Sequence, residues 1–309
     1  MNYQNQKINF YQKRTFGENI TATFDFLKDS WKPILLLCLY VMLPFSIIQG
    51  ILLNNIYGTV IGVAKYTPST IQSIEGLPYS FFINYIILIV ISWVGISILT
   101  AIVYTVMQKY QDKAPSDTYS LSEMKPDLIS YAKQCFILTF YLIILSIGYL
   151  AVIISLGIIF PPSLIVTIPG TIALMVPLSL IYPAYIFGEG SGTNVALKQS
   201  MRLGFSSWGP LFLILLVLSL IGSIINGITS TPWTMVAVVK SIIVASNPSA
   251  TPTSVGMDFI SYVLAVVQCF GAYISQVITL VGVAFFYFSV SEAKDSVSVN
   301  SDIDNFEQL

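Results

Sequence analysis

Six times between residues 33 and 289 the chain runs for about twenty residues or more with no Asp, Glu, Lys or Arg in the middle of the run. The runs lie near 33–53, 82–107, 134–160, 163–186, 210–229 and 259–289. A bilayer core about 30 Å thick needs roughly 20 residues of helix to cross it. Inside it, a lone segment can satisfy its own backbone hydrogen bonds only as a helix. The fifth run is the clearest: Leu211 to Ile225 holds twelve strongly apolar residues in fifteen, worth about −5 kcal/mol on the insertion scale. Pro169, Pro177 and Pro183 interrupt the fourth, each removing a backbone donor, and Pro161-Pro162 makes the turn before it. Composition agrees. The chain is 55% hydrophobic and 9% charged, where a soluble domain has about 25% charged residues. The expected fold is an all-α membrane protein of six transmembrane helices.

Lysine and arginine set the expected orientation. Lys65 and Lys240 fall in the loops 54–81 and 230–258, while the other twelve of the fourteen basic residues fall at the two ends and in the even-numbered loops. The positive-inside rule then places both termini in the cytoplasm. Residues 1–32 lack the apolar core and cleavage site of a signal peptide, so the first run is expected to stay as an anchor. Within them Phe16, Ile20, Phe24, Leu27 and Trp31 recur at helical spacing, with Glu18, Thr21, Asp25 and Lys28 on other faces. Such a helix suits the cytoplasmic interface or a plain packed surface. Residues 33–290 form the membrane domain. The tail 291–309, acidic apart from Lys294, is expected to be disordered and cytoplasmic.

One stretch occurs twice. Residues 30–51 match residues 207–228 without a gap, 177 positions apart, with 11 identities in 22. Both copies run from Ser-Trp-x-Pro to Ser-Ile-Ile-amide-Gly-Ile. A further match, 59–65 against 234–240, has an offset of 175, and the offset of 177 returns at residues 82–85 and 259–262. Before the second copy, Leu197, Met201, Phe205 and Trp208 mark an amphipathic helix like the one that ends at Trp31. Spans one and two thus resemble spans five and six as a parallel pseudo-repeat around a central hairpin that shares no motif with either.

Polar residues inside the spans are the candidate site. Ser46 and Gly50 are four apart, as are Ser219, Ser223 and Gly227, and small-residue stripes let helices approach closely in lipid. Gln49 and Asn226 stand before the two glycines, about 27 Å of helix rise beyond Trp31 and Trp208. They either help end the helix, with Gly50 and Gly227 as left-handed caps, or line an outward-facing site. Gln268, Ser275 and Thr279 share a helical face with Gln276 on its flank. They either line a polar path or hydrogen-bond to neighbouring helices. The prolines of the fourth span make a kink or a broken helix.

Much chemistry is excluded. No ionisable residue lies mid-span, where proton relays and ion-coupled pumps place them. With no histidine there is no Ser/His couple and no histidine-ligated metal. Cys38, Cys135 and Cys269 sit in apolar runs and read as small hydrophobes, so no disulfide or metal framework is expected. There is no glycine-rich phosphate loop, and a net charge of −1 without a basic run argues against nucleic acid. No enzyme and no cofactor are expected. Glu189 and Arg202 flank an inner loop and read as topology signals.

The run Ile186-Phe187-Gly188-Glu189, then Asn194 to Leu203 with Ala196-Leu197-Lys198 and Ser200, and Trp208, resembles the inner loop of a bacterial family of multispanning proteins. That family is labelled after the membrane domain of glycerophosphoryl diester phosphodiesterases. Arg14 to Ile20 and Trp31-Lys32-Pro33 are similar to members from Bacteroides-like bacteria, and Phe285 to Phe288 with Glu292 and Lys294 fit its closing segment without the arginines that usually follow. The resemblance implies a bacterial inner-membrane protein and transfers no catalytic residue. Two functions are expected: a non-enzymatic scaffold or accessory protein contacting lipid or a partner protein, or a permease or channel for a small or amphipathic solute passing Gln49, Asn226 and Gln268.

Overall fold

The computed structural model describes residues 7–66, 77–112, 121–188, 190, 192–246 and 255–297. They form helices α1 (Phe16–Tyr66), α2 (Tyr79–Asp112), α3 (Leu121–Ile159), α4 (Leu164–Leu178), α5 (Ile181–Phe187), α6 (Thr193–Ser206), α7 (Trp208–Ser246) and α8 (Val255–Asp295). Among the described residues there is no strand. Within them, six stretches are long and apolar enough to cross a membrane, α4 and α5 counting together as one. The protein is an all-helical, multi-pass integral membrane protein.

α1 starts on a capping box. The backbone N–H of Thr15 donates to Glu18 Oε2 at 2.7 Å, and the N–H of Glu18 donates to Thr15 Oγ1 at 3.4 Å. The helix then runs through Pro33 and Pro44 without ending, so the amphipathic segment and the first span are one rod. Its two faces differ in burial against the protein. Asn19, Ala22, Thr23, Phe26 and Ser30 are buried, whereas Phe16, Phe24 and Trp31 are exposed.

Two expectations are corrected. The loops expected at 54–81 and 230–258 are largely helix, because α1 runs on to Tyr66 and α7 to Ser246. Gly50 and Gly227 therefore lie mid-helix and cap nothing; the one glycine with positive φ among the described residues is Gly192, at 127°. Loss of apolarity at Asn54-Asn55 and Thr229 to Pro232 looks like a helix end, yet Asn54 and Asn55 bond to residues of other helices, and Thr229, Ser230 and Thr231 donate to carbonyls of their own helix. α8 likewise continues to Asp295, past the expected start of the tail. Glu189, the side chain of Lys65 and tail residues 298–309 lie outside the described residues.

The chain divides into two compact units, Met1–Ile34, Thr100–Leu220 and Val277–Leu309 in one, Leu35–Leu99 and Ile221–Gln276 in the other. The first is built on an aromatic core. Phe10 lies 6.1 Å from Phe26, 5.1 Å from Phe285 and Phe288, and 6.0 Å from Tyr110, ring centroid to centroid. Arg14 closes it: its N–H donates to Ser289 Oγ at 2.9 Å, and its guanidinium sits 5.4 Å above Phe285. Burial pushes the Arg14 pKa down from its ordinary value. In the same unit the fourth span breaks at Ser179-Leu180. Pro183 has no N–H for the Ser179 carbonyl, so α5 starts afresh, with Ala184 N–H donating to the Leu180 carbonyl at 3.0 Å. Pro161 to Ser163 form a 3-10 turn after α3. The most apolar stretch of α3 has no residue buried within the described structure.

The second unit packs the remaining segments of α1, α2, α7 and α8. Asn54 ties three of these helices. Its Oδ1 accepts from Ser261 Oγ at 2.7 Å and Trp233 Nε1 at 3.2 Å, and its Nδ2 donates to the carbonyls of Ser261 at 3.2 Å and Gly50 at 3.0 Å. One turn on, Tyr57 donates to the Ala237 carbonyl at 2.6 Å and its ring meets Trp233 edge-on at 5.4 Å.

The two sequence copies do not share local structure throughout. α1 passes unbroken through Ser30, but its counterpart Ser207 separates α6 from α7 with φ −133° and ψ 31°. Ser46, Gln49 and Gly50 are buried; Ser223, Asn226 and Gly227 are exposed.

Candidate functional site

In the second unit a cavity of about 390 Å³ opens between α1, α2, α7 and α8. Four carboxamides reach it, Gln49 from α1, Asn226 from α7, and Gln268 and Gln276 from α8, together with Ser92 of α2 and Tyr273 of α8. Leu53, Leu88 and Ile96 supply the apolar wall.

Close helix approach places these groups. A Cβ at Gly50 would stand 2.9 Å from the backbone N of Val266, so only glycine lets α1 lie this close to α8. Gln49, the next residue, is thereby held at 6% exposure, where its Nε2 donates to Ser92 Oγ at 2.9 Å. Ser92 in turn donates to the Leu88 carbonyl at 2.7 Å. On α2, Gly95 leaves room for the Tyr273 hydroxyl, which a side chain there would strike. Tyr273 is 6% exposed, and its hydroxyl sits beside Gln49 without a hydrogen bond of good geometry. Gln268 Oε1 is also buried without a partner. A buried polar atom left unpaired costs about 1–3 kcal/mol, so both atoms favour a guest that can hydrogen-bond to them.

The lining offers amide and hydroxyl donors and acceptors and no formal charge. Each carboxamide brings one acceptor oxygen and two N–H donors. An ion would lose its hydration here without a counter-charge, which is costly in a low-dielectric setting. A neutral molecule carrying hydroxyl, ester or amide groups meets partners of the right kind, with Asn226, Ala272 and Gln276 exposed at the mouth.

The remaining expected residues lie elsewhere. Ser46 is buried and donates to the Met42 carbonyl at 2.9 Å within its own helix. Ser275 does the same to Ala272 at 2.8 Å. The stripe Ser219, Ser223 and Gly227 is exposed, and a Cβ at Gly227 would meet nothing within 4 Å. Among the described residues it meets no packing partner at Gly227; the α7 glycine that approaches α8 is Gly222, beside the Ser275 carbonyl. Arg202 makes a two-pronged ion pair with Asp295, at 2.9 and 2.7 Å. Ser92 and Tyr273 were not singled out from sequence. For Tyr273 the signal was weak, since the helical face joining Gln268 to Gln276 passes through position 272 and leaves 273 about 60° beyond Gln276. For Ser92, one serine among several in apolar helices, there was none.

Comparison with family models, curated proteins and solved structures finds no match to this chain.

Proposed function

We propose that this protein is a non-enzymatic accessory protein of the bacterial cytoplasmic membrane that seats a neutral amphipathic molecule in the amide-lined cavity. The carrying observation is the convergence of Gln49, Asn226, Gln268 and Gln276 on one uncharged cavity that also holds the unpaired atoms of Tyr273 and Gln268. The absence of a paired nucleophile and base around that cavity supports a binding role. Twelve of fourteen basic residues at the ends and in the even-numbered loops support cytoplasmic termini. Thermal unfolding of detergent-purified protein with added monoolein, a neutral glycerol ester, tests the reading. A saturable rise in Tm is expected, absent with oleate and lost in Gln268→Leu. No saturable rise, or one that survives Gln268→Leu, refutes it.

The exposed mouth at Asn226 and Gln276 favours a second reading, a permease for a small neutral solute. Proteoliposomes would then pass glycerol or urea faster than empty vesicles, and Asn226→Leu would abolish the difference. Flux unchanged by Asn226→Leu removes this route.

A further inference from the structure

A second cavity in the same unit has different chemistry. It measures about 590 Å³ and its lining includes Lys240 of α7 and Asp258 of α8, joined by an ion pair of 3.0 Å. The lysine is 8% exposed. Some of the surrounding polar groups are already spent. Asn54 uses both ends of its amide on α7, α8 and its own helix, and Tyr57 is committed to Ala237 and Ser241, so these fix the wall.

Other groups are not spent, and they face the cavity. An ammonium carries three donors, and Lys240 gives one to Asp258 with no other hydrogen bond among the described residues. Asn84, half-buried, has none there either, and Asn55 uses only its oxygen, accepting from Tyr262 at 3.3 Å. The free donors are thus the ammonium N–H groups and two primary amides. They suit an oxyanion, and a phosphate ester, which offers ester oxygens as acceptors besides at least two anionic ones, uses more of them than a carboxylate can. Asp258, the more exposed partner with its side chain at 45%, supplies the opposite charge. A lone anion would meet the Asp258 carboxylate, and a lone cation the Lys240 ammonium. A molecule bearing both charges meets a partner for each.

We infer that this cavity binds an ammonium–phosphate zwitterion of the ethanolamine phosphate type, as a free solute or as a lipid headgroup. The site shares no residue with the amide-lined cavity and stands whether or not that cavity takes a neutral guest. Isothermal titration of the full chain in nanodiscs tests it with ethanolamine phosphate, inorganic phosphate and ethanolamine. In phosphatidylglycerol nanodiscs the zwitterion is expected to bind at least tenfold more tightly than either half. Lys240→Met and Asp258→Asn should each cost tenfold or more. Because these two variants also cut a contact between helices, Asn84→Leu is the sharper one: it breaks no hydrogen bond among the described residues and should cost threefold or more with unchanged Tm. Repeating the titration in phosphatidylethanolamine nanodiscs separates the sources. Binding that disappears there assigns the lipid headgroup, and binding that persists assigns the free solute. A zwitterion no tighter than its halves, or an Asn84→Leu variant that binds like the parent, overturns the inference.

Discussion

Replacing Asn54 by leucine tests the tertiary tie that keeps α1, α7 and α8 together past their apolar runs. The change removes three interhelical hydrogen bonds, from Ser261 Oγ, from Trp233 Nε1 and to the Ser261 carbonyl. Such bonds average about 0.6 kcal/mol in membrane proteins, which gives about 2 kcal/mol for three. The Ser261 hydroxyl can turn back to a carbonyl of its own helix, as serines in helices do. The Trp233 N–H has no such escape, and one stranded donor adds about 1 kcal/mol or more. Asn54→Leu is therefore expected to destabilise by about 3 kcal/mol. The neighbouring Asn55→Leu, which loses one contact of 3.3 Å at an exposed position, should cost less than about 0.5 kcal/mol. Reversible unfolding in mixed micelles measures both. Adding Trp233→Phe to Asn54→Leu removes the stranded donor, so the double variant should fall short of the sum by about 1 kcal/mol. If the two asparagine variants differ by less than about 1 kcal/mol, the tie does not hold the helices as argued.

The same measurement separates the two glycines of the repeated motif. Gly50→Val should cost at least about 2 kcal/mol because its Cβ meets the backbone of Ala265 and Val266, while Gly227→Ala, with nothing within 4 Å, should be neutral or stabilising by up to about 1 kcal/mol. Phe26→Ala empties a site of 0% exposure between Phe10, Tyr110 and Phe285 and should cost about 3–5 kcal/mol. Gly95→Ala drives the Tyr273 hydroxyl off α2, costing about 1–3 kcal/mol, and a Tyr273→Leu background should recover part of that loss. A cysteine replacing Lys65 should react with an impermeant maleimide from outside the cytoplasmic membrane; labelling from the cytoplasmic face reverses the proposed orientation.

The spans were legible because crossing a bilayer needs length and apolarity, both of which are written residue by residue. Their ends were not. Asn54 and Thr229 to Pro232 end the apolar runs, but whether a helix continues depends on what its polar residues find in space, and Trp233 and Ser261 lie 179 and 207 positions from Asn54. The amides of the candidate site were visible as polar residues in apolar runs, and the spacing of Gln268 and Gln276 was readable as helical. Which amide is buried was not readable. Gln49 and Asn226 occupy equal places in matching sequence, yet one is buried and the other exposed, because burial is decided by the neighbouring helix. Gly95 carried no signal at all, since its partner Tyr273 lies on another helix.

The unbroken course of α1 and α7 alters the meaning of the two-residue change in offset between the sequence copies. In a loop, two residues more or less would be slack. Here the change, from 177 to 175, falls between residues 51 and 59 of α1 and between 228 and 234 of α7, inside continuous helix. At 3.6 residues per turn it is a phase error of about 200°, more than half a rotation. Two helices aligned at Ser-Trp-x-Pro must therefore present nearly opposite sides beyond the amide-Gly pair, and no rigid rotation can superpose them at both ends. Tyr57 and Trp233 meet across that region as unlike partners. A deletion that left every named contact residue in place would still separate them, so along these helices the number of residues constrains the fold as firmly as their identity.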